Sequence, residues 1–309
     1  MAPEEETFRA YTQAQGDTYA VGRPGYSPEL FKIIIAHHTS TGGQLGTVVD
    51  IGCGTGQASL GLAPYFTNTI GLDPSEGMIG AARASAQSAN LPIRFEVSAA
   101  KALGTDLKPP IADGSVDLLT AATAAHWFDM ARFWPSAARV LKPGGTAALW
   151  ARTGMTVDPV RTLNGAAIKA VVDEIFASEL QPFSKLGSKL TRDLYVDLPL
   201  PWTLEAPVEE FDKGSFFRKE WNKHRDGIEN DDLGTGKTVT TEEFENLTGT
   251  NSTVTRWREA YPDKAGTEED IARKMRRQIE SLLHEAGVKP GEEVLRGQVA
   301  IVLLMVKKT

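Results

Sequence analysis

Two short stretches hold residues whose chemistry goes beyond the needs of a buried core. The first is AHWFD, residues 125–129, which ends the mostly small and apolar run VDLLTAATAA. His126 can hold an anion or accept a proton near neutral pH. Trp127 or Phe128 can pack against a cation, a contact of about 0.5–2 kcal/mol. A purely structural alternative has His126 capping the next helix and Trp127 filling core. A polar side chain at the end of a buried strand costs stability with no evident return, which favours function for His126. The second stretch is VVDIGCGTGQASL, residues 48–60, with Gly52, Gly54 and Gly56 between a strand-like and a helix-like segment. Glycine tolerates positive φ and lets a ligand come close to the backbone. A tight turn without a ligand would use the same residue type.

Two acidic residues sharpen the second stretch. Asp50 precedes the glycines, and Asp73 ends the next strand about twenty residues on, where a carboxylate can accept hydrogen bonds from both ribose hydroxyls. The spacing is G-x-G-x-G. A dinucleotide fingerprint would place its third glycine at position 57, which is Gln57. Asp50 would repel a pyrophosphate and attract a cation. The pattern suits a nucleoside with a positive charge.

The elements that must carry these residues alternate. LFKIIIAHH follows Ser27-Pro28, an N-cap with proline at the first helical position. TVVDI, TIGLDP, IRFEVSAA, VDLLTAATAA and TAALWA read as strands. QASLGLAPYF, SEGMIGAARASAQS and DMARFWPSAARVL read as helices, with Pro135 bending or breaking the last, and KPGG reads as a turn. Strands alternating with helices imply parallel pairing and a doubly wound α/β sheet. Ligands then bind beyond the carboxyl ends of the strands, where both stretches fall.

After residue 152 the pattern changes. Residues 160–180 form one long helix candidate, and SKLTRDLYVDLPLPW reads as loop. Thr240-Thr241-Glu242-Glu243 and Thr267-Glu268-Glu269-Asp270 resemble capping boxes that open two helices. VAIVLLMVKK is a strand able to rejoin the sheet. The expected organisation is therefore an N-terminal segment and cofactor-binding α/β core over 1–152, a mainly helical cap with one sheet strand over 153–290, and a returning strand over 291–309.

Composition sets outer limits. The 309 residues are 41% hydrophobic and 24% charged, with a net charge of −7, an ordinary globular balance without a long basic run. Nucleic-acid binding is not expected. No apolar run of about eighteen residues suggests a membrane span. MAPEEETFRA lacks the apolar core of a secretory signal. Cys53 is the one cysteine, so no internal disulfide can form and a cytoplasmic setting is expected. DDLGTGKT imitates a phosphate-binding loop, but position 231 is Asp231 where that pattern needs glycine. The histidines lack metal-ligand spacing, and Asp129 is the sole carboxylate beside strand four, so no metal is expected.

VVDIGCGTGQASL with LDPS resembles the first motif and acidic loop of class I S-adenosylmethionine-dependent methyltransferases, whose ligand carries a sulfonium. The resemblance extends over residues 18–150. RPGYSPE, AHWFD and TRWREAY are similar to segments of fungal small-molecule methyltransferases of the trans-aconitate methyltransferase kind. The resemblance implies a seven-stranded, mostly parallel Rossmann-like sheet with a helical insertion. It implies S-adenosylmethionine as cofactor and S-adenosylhomocysteine as product. Gly52, Cys53 and Gly54 would supply backbone contacts, with Asp50 near the amino acid tail, Asp73 on the ribose and Met78 covering the adenine. The N-terminal segment would be a lid, with Tyr19 and Arg23 its cofactor contacts. Many family members bind the adenine amino group through Asp in a G-D-A-E-x-L pattern. SAAKAL stands here instead, so that contact falls to Ser98 or to the backbone at Ala99.

In-line displacement at an activated methyl needs alignment more than acid–base help. An ionised carboxylate acceptor needs cationic anchors: Arg23, His126, or the cluster Arg218, Lys219, His224 and Arg225, which could equally be a solvated helix face. His126 and Trp127 are the catalytic candidates and, with Arg23, Trp257 and Tyr261, the acceptor-binding ones. The expected partner is a small anionic molecule, and the protein a monomer or weak homodimer. The rivals are a methyltransferase of a fungal secondary metabolite with an oxygen or nitrogen acceptor, a nicotinamide-dependent oxidoreductase, which Gln57 and Asp50 disfavour, and a cofactor-binding protein that transfers nothing.

Overall fold

Short β-branched and apolar runs, too brief for helices, build the sheet that carries the site. The computed structural model describes residues 12–13, 16, 25–222, 233 and 236–309. Strands β1 (Thr47–Ile51), β2 (Asn68–Asp73), β3 (Ile93–Val97), β4 (Val116–Ala122) and β5 (Leu141–Arg152) join β7 (Phe211–Trp221) and β10 (Ile301–Lys308) in one seven-stranded sheet, ordered β3-β2-β1-β4-β5-β10-β7. The pairs β1–β2, β1–β4, β2–β3 and β4–β5 are parallel. Strand order reverses between β1 and β4, the switch point at which an open α/β sheet leaves a crevice beyond its strand ends. This is the Rossmann-like methyltransferase fold the sequence led us to expect.

The crossovers follow local signals. Ser27 caps the helix Pro28–Ser40 and Ser75 caps Glu76–Ser88, each accepting a backbone N–H of the first turn. Asp129 does the same for Met130–Val140, which runs through Pro135 unbroken. KPGG bulges out of β5: Val116 pairs with Leu141, while Leu118 pairs with Thr146.

Two compact units share the chain: residues 1–151, 195–219 and 302–309 form the first, and 152–194 with 220–301 the second. The stretch 195–219, expected in the cap, returns to the first unit because β7 is a strand of its sheet. The second unit has its own three-stranded sheet, β6 (Thr156–Val157), β9 (Val294–Gln298) and β8 (Gly236–Thr240), in the order β6-β9-β8 with antiparallel pairing. Its core gathers Ile168, Leu180, Phe244, Trp257, Met275 and Leu283.

The local signals here were partly displaced. Thr240 and Glu243 form a reciprocal capping box at Thr241–Gly249. The helix after Thr267 starts later, at Ile271, with Asp270 as its cap, since Asp270 also pairs with Arg258. The long helix is α-helical over Gly165–Ile175 and continues as a π turn over Phe176–Leu180. Leu186–Arg192, read as loop, is a helix. Gly236, Lys237 and Thr238 lie in β8, whereas a phosphate-binding loop would open a helix there. Among the described residues, no helix is long and apolar enough to cross a membrane.

Candidate functional site

The turn after β1 is built from backbone. Gly52, Gly54 and Gly56 have φ of 63°, 54° and 89°, a region that costs side-chain-bearing residues about 1–2 kcal/mol. Their surroundings differ. A Cβ at Gly52 would lie 2.7 Å from Ala124 Cβ and 3.3 Å from the Phe128 ring. At Gly56 it would meet Phe95 at 3.0 Å, and at Gly54 nothing lies within 4 Å. The turn is therefore tight against protein on either side and open in its middle, where a ligand can reach the backbone.

Carboxylates fix this turn from below and from the side. Asp50 is fully buried, and the register sets it opposite Thr120 of β4. Its Oδ2 accepts from Ser59 Oγ at 2.7 Å and its Oδ1 from Thr120 Oγ1 at 2.8 Å. Burial pushes its carboxyl up to about 6, against the lowering pull of the two hydroxyls and with a further push from Asp73. Its contacts are with hydroxyls under the turn, so its action on a ligand above would be through its field. Asp73 ends β2. Its Oδ2 accepts from the Gly54 N–H and its Oδ1 from the Ser75 N–H, both at 2.9 Å. Each carboxylate oxygen has a second lone pair, so the group can brace the turn and still accept a hydroxyl.

The Cys53 thiol turns inward among Ile79, Ala82 and Phe95, and burial pushes it up. It is the Cys53 backbone that belongs to the turn. Met78 is buried in the helix Glu76–Ser88. Ser98, just past β3, donates to Asp106 Oδ1 at 2.7 Å and accepts from the Gly104 N–H at 3.1 Å. Tertiary structure thus sets an exposed carboxylate, Asp106, beside the position where the sequence has Ala99.

The turn after β4 is built from side chains. Thr123 has a φ of 52°, strained for a β-branched residue. Its Oγ1 accepts from Tyr26 Oη at 3.0 Å. His126 and Trp127 sit half-buried in the single turn Ala125–Trp127, their rings 4.6 Å apart. His126 Nδ1 lies 2.8 Å from Tyr195 Oη. The Ala124 and Phe128 contacts with Gly52 bring this turn against the glycine turn.

The remaining candidates are dispersed. Tyr19, Arg23, His224 and Arg225 lie outside the described residues. Arg218 and Lys219 are on strand β7, not on a helix face. Trp257 and Tyr261 belong to the second unit, with Trp257 buried in its core and Tyr261 exposed, their rings 5.0 Å apart. Trp257 also lines a cleft there with Glu179, Lys264, Lys274 and Arg277. Two participants went unread in the sequence. Thr120 left a signal, a hydroxyl inside an apolar strand. Tyr195 left none, because it follows Leu194 through two successive left-handed residues with φ of 52° and 58°, which no sequence pattern marks.

Comparison with known proteins agrees with this geometry. Residues 49–149 match the family model described as a methyltransferase domain. A Dictyostelium discoideum protein named as a candidate methyltransferase is 36% identical over 133 residues, 43% of this chain and 45% of its own. Methyltransferase cfoB of Aspergillus candidus is 32% identical over 148 residues, 47% of this chain and 45% of that protein. The chain thus matches less than half the length of these curated relatives. A solved structure of a candidate type II methyltransferase from Anaeromyxobacter dehalogenans is 27% identical, covers 93% of this chain and 97% of that one, and has a TM-score of 0.60. Residues 49–149 are a methyltransferase domain of the class that uses S-adenosylmethionine. The open backbone at Gly54 and the adjacent Asp73 carboxylate fit that cofactor.

Proposed function

We propose that the protein moves the methyl group of S-adenosylmethionine to a small anionic acceptor, with a carboxylate oxygen as the receiving atom. The observation that carries this reading is the packing of Ala124 and Phe128 on Gly52. It sets the His126–Trp127 turn beside the cofactor turn. When bound, the cofactor supplies an activated methyl electrophile on a sulfonium. The protein's part is to hold and align. The Gly52–Gly54 backbone and Asp73 bind the nucleoside, and Trp127 or Phe128 offers a ring face to the cation. His126 offers a polar ring edge to an anion.

In the transfer a carboxylate lone pair forms the new O–CH3 bond as the S–CH3 bond breaks, and the electron pair stays on sulfur. An ionised carboxylate has no proton to lose, so charges balance without a base. Alignment and exclusion of water then account for the acceleration. The resemblance of AHWFD and RPGYSPE to trans-aconitate methyltransferase-like enzymes supports an organic acid.

The test is transfer from S-adenosylmethionine to a panel of di- and tricarboxylic acids, phenols and amines, read by mass spectrometry. A base-labile methylated acid is the expected product. Methylated phenols or amines alone would replace the carboxylate with another acceptor atom. Tight cofactor binding with no product from any class would favour a protein that binds the cofactor without transferring.

A further inference from the structure

Tyr195 is 1% exposed, and its hydroxyl lies 2.8 Å from His126 Nδ1, reaching it across 69 positions of sequence. The same oxygen receives hydrogen bonds from the backbone N–H groups of Ala125 and His126. A phenol oxygen has two lone pairs and one proton. With both lone pairs facing N–H donors, its proton has one acceptor left, the Nδ1 lone pair. Burial pushes the phenol well above its ordinary range, so that proton stays in place. A neutral imidazole that accepts at Nδ1 must carry its own proton on Nε2.

We propose that Tyr195 is a positioning residue that holds His126 in the Nε2-protonated tautomer, so that the ring meets the methyl acceptor as an N–H donor and not as a base.

The backbone around Tyr195 fits a residue held for its position. Leu194 and Tyr195 occupy the left-handed region in succession, which residues with side chains disfavour and which persists where surroundings over-determine it. The imidazole is further confined by the Trp127 ring at 4.6 Å and the Tyr195 ring at 5.8 Å. A donor at this point suits an acceptor that arrives already ionised. It does not suit a phenol or an ammonium, from which a proton must be removed before attack. The role towards the acceptor rests on the proposed methyl transfer, whereas the tautomer does not.

The tautomer is read first, on the full chain without ligand, by long-range proton–nitrogen NMR of the histidine rings. His126 is assigned by its loss in His126→Gln. The expected spectrum shows Nε2–H in the wild type and a shift towards Nδ1–H in Tyr195→Phe, which keeps the ring and removes only the hydroxyl. Nδ1–H in the wild type would overturn the proposal, and that measurement needs no variant to fold.

Turnover supplies the second readout. His126→Gln places an amide N–H near the Nε2 position and is expected to keep kcat within about 5-fold. His126→Asn, whose amide reaches only the Nδ1 position, should raise the acceptor KM roughly 10-fold or more. Equal collapse of kcat in both variants would mean that the ring acts as a base. A chain that methylates nothing would sink the methyl-transfer reading and leave the tautomer result standing.

Discussion

The turns after β1 and β4 lie against each other and are made in opposite ways. The glycine turn offers N–H groups and empty space. Its working parts are backbone, and its side chains, Cys53 among them, face inward. The aromatic turn offers an imidazole and an indole whose setting depends on a residue 69 positions away. A turn made of backbone is intolerant of added atoms. A turn made of side chains is sensitive to which proton sits where. Substitutions should therefore fail differently on the two sides.

The largest effect is expected at Gly52. Gly52→Val adds a β-branched side chain at a φ of 63° with its Cβ 2.7 Å from Ala124 Cβ. Backbone strain and overpacking together should cost about 3–5 kcal/mol of stability in urea unfolding. Gly54→Ala has open space and should lose only about 1–2 kcal/mol while still weakening cofactor binding. Equal losses would erase the distinction between the packed and the open part of the turn.

Asp50 comes next. Its folded-state pKa, about 6, lies above the ordinary 3.8, so the native state holds the proton more tightly than the unfolded chain. Its favourable contribution is greatest at low pH and declines as pH rises from about 4 through 6, by on the order of 3 kcal/mol. Unfolding free energies of the wild type minus those of Asp50→Asn, taken between pH 4 and 7.5, should fall across that window. A flat difference would mean that Asp50 is ionised without penalty.

Asp73→Ala leaves the Gly54 and Ser75 N–H groups without their carboxylate and should weaken cofactor binding roughly 10- to 100-fold by calorimetry. Unchanged affinity would remove Asp73 from the ribose.

Trp127→Leu should do least, and selectively. Losing a ring face costs S-adenosylmethionine about 0.5–2 kcal/mol of affinity and should spare S-adenosylhomocysteine, which has no sulfonium. Equal losses for both would make Trp127 a packing residue.

The glycine turn was legible because its physics is local. Positive φ demands glycine, a parallel strand demands β-branched residues, and both appear within thirteen consecutive positions, 48–60. The cap at Thr240 was legible for the same reason, while Asp270 displaced Thr267 through its bond to Arg258. The stretch 195–219 was read as part of the cap, because membership of a sheet edge is decided by pairing with β10 and not by its own pattern.

By itself the sequence determined the parallel core, the cofactor class and the presence of an imidazole at the end of β4, since strand periodicity and turn chemistry are set by neighbouring residues. Only the tertiary structure decided that Asp50 lies buried under two hydroxyls, that Asp106 stands beside Ser98, and that Tyr195 faces His126 Nδ1. Hydrogen-bond partners and burial depend on chain segments far apart in sequence, and those two quantities set the charge and proton position of a side chain.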